Sequence, residues 1–237
     1  MKKIILGFLV LLSGLAFTVQ AGAPFEGTLI ALDAGHGGSE SGAYNATYNV
    51  READVNLAVV LALRDALEAE GAVVVLTRED DSTLSSRRER VGIALDKCKV
   101  TVLARKCDII LSIHHNGNAD TGHNGTLVIY NEKQDIPLAK ALHDALVPLT
   151  GQDEGYLSGG YGITVYGHVV SVLTEAYYIT NDSEAMAYTL ESEAQIQREV
   201  TAQMNGLSAY FTSNPPSGGD GGGSGGGNGK GQGGGKP

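Results

Sequence analysis

The sequence predicts an α/β fold, with a mostly parallel twisted sheet flanked by helices in a single domain. Three observations carry that expectation. From Thr28 onward, short β-branched runs alternate with longer amphipathic stretches, the pattern of strands joined through helices. The roughly 190 residues between two atypical ends make one domain and can bury a sizeable core. Hydrophobic residues at 42% against 19% charged ones exclude a wholly disordered chain.

The elements follow in order. Strands are expected at residues 28–32, 72–77, 108–113, 125–130 and 170–175, and helices at 52–70, 86–95 with an extension, 137–147 and 183–210. Gly71 after Glu70 stops the first helix, and Val73-Val74-Val75-Leu76 then enters a strand. Pro137 and Pro148 bracket the third helix, one at its first turn and one beyond its end. Ser213-Asn214-Pro215-Pro216 closes the last.

Both ends differ from the middle. Met1-Lys2-Lys3, an apolar run from Ile4 to Val19 and small residues around Ala21 and Ala23 read as a signal peptide spanning 1–21, cleaved after 21 or 23. The competing reading is a retained anchor, since the run is near the ~17-residue minimum for a spanning helix; Gly7, Ser13 and Gly14 dilute it. Residues 213–237 form a Gly-rich tail, with 13 of the chain's 33 glycines between 218 and 235. Such a segment buries too little apolar area to offset its ordering entropy and is expected to be disordered.

Without Lys2 and Lys3 the chain has 15 basic against 27 acidic residues, a formal charge of −12. This argues against nucleic acid, whose phosphates are bound through basic side chains. Cys98 and Cys107, nine positions apart, suit an exported protein with one disulfide. On one straight helix they would lie too far apart, so a bridge requires a turn between them; two buried thiols are the alternative.

Reactive groups gather where strands of an open α/β sheet end. The first strand runs into Asp33-Ala34-Gly35-His36-Gly37-Gly38, the third into Ser112-Ile113-His114-His115-Asn116, and the last into Thr174-Glu175, while Arg51-Glu52-Ala53-Asp54 opens a helix. Two imidazoles and a carboxylate at one edge are equipment for zinc with one position left for water. Each is ambiguous alone: His36 suits a turn, and Glu52 suits a helix N-terminus. His114 and His115 point to opposite sides if they continue the strand, so at most one of them readily faces the site.

The strings LDAGHGG, READVNLA, SIHHNG and VLTEAYYITN resemble, in order, the motifs of the zinc-dependent N-acetylmuramoyl-L-alanine amidases of type 3. The likeness runs from Thr28 to Phe211, the catalytic domain (28–211). It implies a fold similar to zinc-dependent exopeptidases and amidases, one Zn²⁺ per chain held by His36, Glu52 and His114, and Glu175 as the catalytic carboxylate. It implies cleavage of the amide between N-acetylmuramic acid and L-alanine of the peptidoglycan stem peptide, in the periplasm or at the cell wall. No Gly-x-Ser-x-Gly nucleophile motif is needed for this chemistry, and residues 28–211 contain none. Asp33 is read as orienting His36 or shaping the turn, and Asn56 and Asn116 are candidates to support the ligands from behind. Asn181 is read either as a loop-positioning residue beside Glu175 or as a helix N-cap, and Arg90 as a structural ion-pair residue.

The sequence also departs from the family pattern. Ala34 replaces a proline, His115 replaces an alanine, LDKCKVTVLARKC lengthens one connection, and Gly160-Tyr161-Gly162-Ile163 lacks the arginine of an R-G-I stretch. Tyr161 and Tyr166 are expected to take over substrate contacts there. The 115–175 interval shows no long self-blocking helix, which implies an open site. The expected substrate partner is peptidoglycan, acted on by a monomer with no stable membrane insertion after signal removal; an activator protein is left open. Two other readings are a two-metal exopeptidase drawing on His115, His123 and His168, and a non-catalytic wall-binding relative.

Overall fold

The computed structural model describes residues 24–216 apart from 85 and 167; the signal segment and the tail beyond 216 lie outside the described residues. In chain order the elements are β1 (Leu29–Ala34), β2 (Tyr44–Asn45), β3 (Val50–Arg51), α1 (Glu52–Ala69), β4 (Val73–Leu76), α2 (Arg87–Lys99) and β5 (Ile109–Asn116). They continue with β6 (Thr126–Tyr130), α3 (Ile136–Leu146), β7 (Asp153–Ser158), β8 (Val170–Tyr178), α4 (Asp182–Leu190) and α5 (Ser192–Ser213). Six strands form the main sheet in the order β4-β1-β5-β8-β6-β7. Every neighbouring pair is parallel except β6–β8. The α/β expectation therefore holds, with one antiparallel pair inside the sheet.

Side-chain alternation along the strands builds two cores. Ile30, Leu32, Ile109, Leu111, Ile113 and Val172 join the larger core, on the face covered by α1, α3 and α5. Leu29, Ala31 and Ile110 join the smaller core beneath α2. Helix α1 brings Val55, Val59, Val60, Leu63 and Leu67, all fully buried, at helical spacing. Each such side chain contributes about 1.5–3 kcal/mol by leaving water. Gly206 lets α5 approach α3 closely, since a Cβ there would sit 2.9 Å from the Leu142 Cα.

Two expectations need correction. The helix expected at 183–210 is two helices, broken at Glu191, whose backbone is non-helical (φ −139, ψ 47). The cause is Glu184 of α4, a buried carboxylate that accepts from Gln195 Nε2 (2.7 Å) and Arg198 Nη2 (2.8 Å) of α5. A straight helix would hold Glu184 and Gln195 about 16 Å apart, so the chain must fold back there. Strand β7 and the β2–β3 hairpin add to the expected strands: β2 and β3 have two residues each, and β7 is an edge strand with little apolar content.

The last turn of α2 carries Cys98, and a turn over 100–106 returns the chain to Cys107 just before β5. The two cysteines are disulfide-bonded, with Cα atoms 5.6 Å apart. This bond ties the C-terminal end of α2 to the sheet.

Candidate active site and metal centre

Residue parity decides what faces the cleft. On β5, His114 shares the face of Ile110 and Ser112, whereas His115 shares that of Ile109, Leu111 and Ile113 in the larger core. Glu175 lies directly across from His114 in the β5–β8 register. His36 follows β1, and Glu52 opens α1. The four side chains line one cleft of ≈ 380 Å³ at the carboxyl ends of β1, β5 and β8, where an open parallel sheet places its ligands.

Three of these groups converge. His36 Nε2 lies 3.3 Å from Glu52 Oε2, and His114 Nδ1 lies 2.9 Å from Glu52 Oε1. One ligand atom from each residue falls within 4.8 Å of the others. Two imidazoles and a carboxylate suit a zinc ion with one coordination position left open. Among the described residues no other such group occurs. Burial pushes the Glu52 pKa up, but His114 and His36 outweigh it and hold the carboxyl far below its ordinary value.

The backbone around His36 is held by two arginines. His36 adopts φ 58, a left-handed conformation that costs a non-glycine residue about 1–3 kcal/mol. Arg90 donates to the carbonyls of His36 (2.6 Å) and Ala34 (2.8 Å) and to Asp33 Oδ1 (2.9 Å). Arg78 donates to the carbonyls of Ala34 (2.8 Å), Gly35 (2.9 Å) and Ala53 (2.8 Å). Burial raises the Asp33 pKa, yet Arg90, Ser112 and Thr77 together hold it below its ordinary value. Arg90 is thus the structural ion-pair residue expected, and Asp33 shapes the turn through it. Gly35 is required for space, because a Cβ there would come within 2.2 Å of the His114 ring.

Glu52 is fixed from several sides. Its Oε2 accepts from Ala43 N (2.8 Å), at the foot of the β2–β3 hairpin. Its Oε1 accepts from His115 N (3.2 Å) and Asn56 Nδ2 (3.3 Å). Asn56 therefore orients a candidate ligand, as expected. Asn116 lines the cleft, and its side chain accepts from Gly117 N (2.9 Å). Asn181 is the N-cap of α4, accepting from Ser183 N and Glu184 N.

Glu175 differs from Glu52. Its Oε2 is buried without a hydrogen-bond partner. Burial, then the nearby carboxylates of Glu52 and Glu154, push its pKa well above the ordinary value. It is a desolvated carboxyl beside the candidate metal ligands, the environment of a general acid or base.

The spare imidazoles do not extend the cluster. His115 is fully buried against Glu199, His123 faces Glu154, and His168 is 91% exposed. Tyr161 lines the cleft, while Tyr166 does not. Arg78 and Arg87 are site residues that no sequence motif announces. Arg87 reaches the cleft beside Tyr161, its guanidinium carbon 5.3 Å from the ring centre. Helix α3 packs on the opposite face against α5 and leaves the cleft uncovered.

The family profile described as N-acetylmuramoyl-L-alanine amidase matches residues 30–208. The chain belongs to that family. This amidase is 35% identical to YqiI of Bacillus subtilis, an uncharacterized protein, over 84% of the chain and 95% of that protein. It is 32% identical to the N-acetylmuramoyl-L-alanine amidase LytC of Bacillus subtilis over 79% of the chain, but spans only 36% of LytC. Its fold matches the catalytic domain of CwlV, the amidase of Bacillus (Paenibacillus) polymyxa var. colistinus, with TM-score 0.68 and 28% identity, covering 78% of this chain and 98% of that domain. Its enzyme class is accordingly that of an N-acetylmuramoyl-L-alanine amidase, a hydrolase of peptidoglycan.

Proposed function

We propose that this amidase is a zinc enzyme in which His36, Glu52 and His114 hold the metal and Glu175 moves the proton. The observation that carries this reading is the buried, unpartnered Glu175 Oε2 in the same cleft as the three converging ligand groups. Zinc, when bound there, supplies a Lewis acid that acidifies water and polarises a carbonyl.

The chain's own residues do the rest. Glu175 accepts a proton from the attacking water, whose oxygen bonds to the lactyl carbonyl carbon of muramic acid. The same carboxyl then delivers the proton to the L-alanine nitrogen as the carbon–nitrogen bond breaks. A raised pKa suits this work, since the carboxyl must hold the proton between the two transfers. Arg87 brings a cation to a cleft walled by Asp33, Glu40, Glu52 and Glu175, while Arg90 is engaged with Asp33 and backbone carbonyls. This arrangement supports Arg87, stacked on Tyr161, as the contact for a stem-peptide carboxylate.

The leader-like N-terminus and the Cys98–Cys107 bond support action outside the cytoplasm, at the cell wall or in the periplasm. The test is metal content and turnover of the purified protein with and without the Glu175→Ala change. The expected result is zinc in both proteins and turnover reduced about 10²- to 10⁴-fold in the variant. Unchanged turnover removes Glu175 from its role, and a wild type that takes up no zinc removes the metal.

A further inference from the structure

Behind the metal centre runs a fully buried polar chain. His115 Nδ1 lies 2.7 Å from Asn56 Oδ1, and His115 Nε2 lies 2.8 Å from Glu199 Oε2. Gln203 Nε2 donates to Thr174 Oγ1 (3.2 Å) and reaches Glu199 Oε1 (3.4 Å). Asn56, His115, Glu199 and Gln203 are each 0% exposed. The His115 ring also packs 4.4 Å from that of Tyr177. The chain thus connects α5, through β5, to the start of α1.

A buried imidazole–carboxylate pair amid Val, Leu and Ile is poor evidence for stability, because apolar residues of similar volume often do as well or better. Its geometry points to another use. The Asn56 amide can be turned two ways. With Nδ2 toward Glu52 Oε1 and Gly35 O, it donates to two acceptors, at 3.3 and 3.1 Å. Reversed, it would set its oxygen against both.

In the tautomer that carries its proton on Nδ1, His115 donates to the Asn56 oxygen and so selects the first orientation. Glu199 at the other ring nitrogen fixes the plane of the imidazole.

We propose that His115 and Glu199 are positioning residues, which lock the Asn56 amide so that it donates to Glu52 and holds that carboxylate in place for the metal. This rests on the metal centre proposed above. It also gives a role to the ring of the second histidine of SIHHNG, which is fully buried and makes no part of the ligand cluster. Sequence position hides the arrangement, since Glu199 lies 84 residues from His115.

The experiment measures the zinc dissociation constant of the metal-stripped full domain by competition with a chromophoric chelator, alongside its thermal midpoint. The double variant His115→Leu/Glu199→Leu leaves no stranded charge. It is expected to fold and to bind zinc about 10- to 100-fold more weakly. His115→Asn, whose amide nitrogen can stand in for Nδ1, should recover most of the loss, which a purely structural role would not produce. Unchanged zinc affinity in a folded double variant overturns the proposal. Should that variant not fold, Asn56→Leu carries the same test, and wild-type affinity there overturns it equally. A wild type that binds no zinc fails the metal-centre reading itself; variants that bind as tightly as a zinc-binding wild type fail only this inference.

Discussion

Glu175 and Glu52 are two carboxylates in one cleft that the fold drives in opposite directions. Without metal, imidazoles hold Glu52 ionised, whereas burial and like charges favour the protonated form of Glu175. An unfolded chain ionises Glu175 near its ordinary value of 4.5. The folded chain keeps the proton to higher pH, so this group costs stability as pH rises above that value. Metal-free Glu175→Gln should therefore melt higher than the metal-free wild type at pH 7, each kcal/mol appearing as about 2–4 °C, with the gap closing near pH ~4. Calorimetry in chelator checks this, and a gap of the opposite sign contradicts it. Arg87→Ala should raise KM for muropeptides with a free carboxylate by about two- to fivefold while leaving kcat nearly unchanged. Steady-state kinetics on carboxylate and amidated substrates separates the two effects.

At the scale of elements, α2 links the disulfide to the metal loop. Cys98 at one end is bonded to Cys107, while Arg90 nearer the other holds Asp33 and the backbone at His36. Replacing both cysteines with serine should cost about 2–4 kcal/mol of stability by freeing the unfolded chain, read by denaturant titration, with zinc binding retained in the folded protein. Elements with strong local signals were legible in the sequence. Helix α1, bounded by Gly71 and carrying an apolar stripe, ends within a residue of the expectation, and strand β4 follows it as expected. The α4–α5 break was not legible, because a buried carboxylate contacted from two helices has no local signature. Strand β7 was equally hidden, as its pairing with β6 is decided by the sheet and not by its own residues.

For the whole molecule, the sheet gathers at one edge groups that are far apart in sequence. His36, Glu52, His114 and Glu175 could each be named from strand ends and motif strings, and the fold brings all four to one cleft. What could not be read was their support: Arg78, Arg87 and Glu199 reach the site only through tertiary packing. All of these contacts fall between Phe25 and Ser213. Ending the chain at Pro216 should therefore leave the thermal midpoint and turnover on soluble muropeptides unchanged, and a large loss of either would give the Gly-rich segment a role in the domain. The central claim is most directly tested by digesting purified peptidoglycan with the purified protein, with chelator, without it, and with zinc restored, and identifying the new ends by mass spectrometry. The account predicts free lactyl carboxyls on muramic acid and stem peptides with free L-alanine amines, lost with chelator and recovered with zinc. Cleavage at any other bond, or no such ends after zinc is restored, would contradict it.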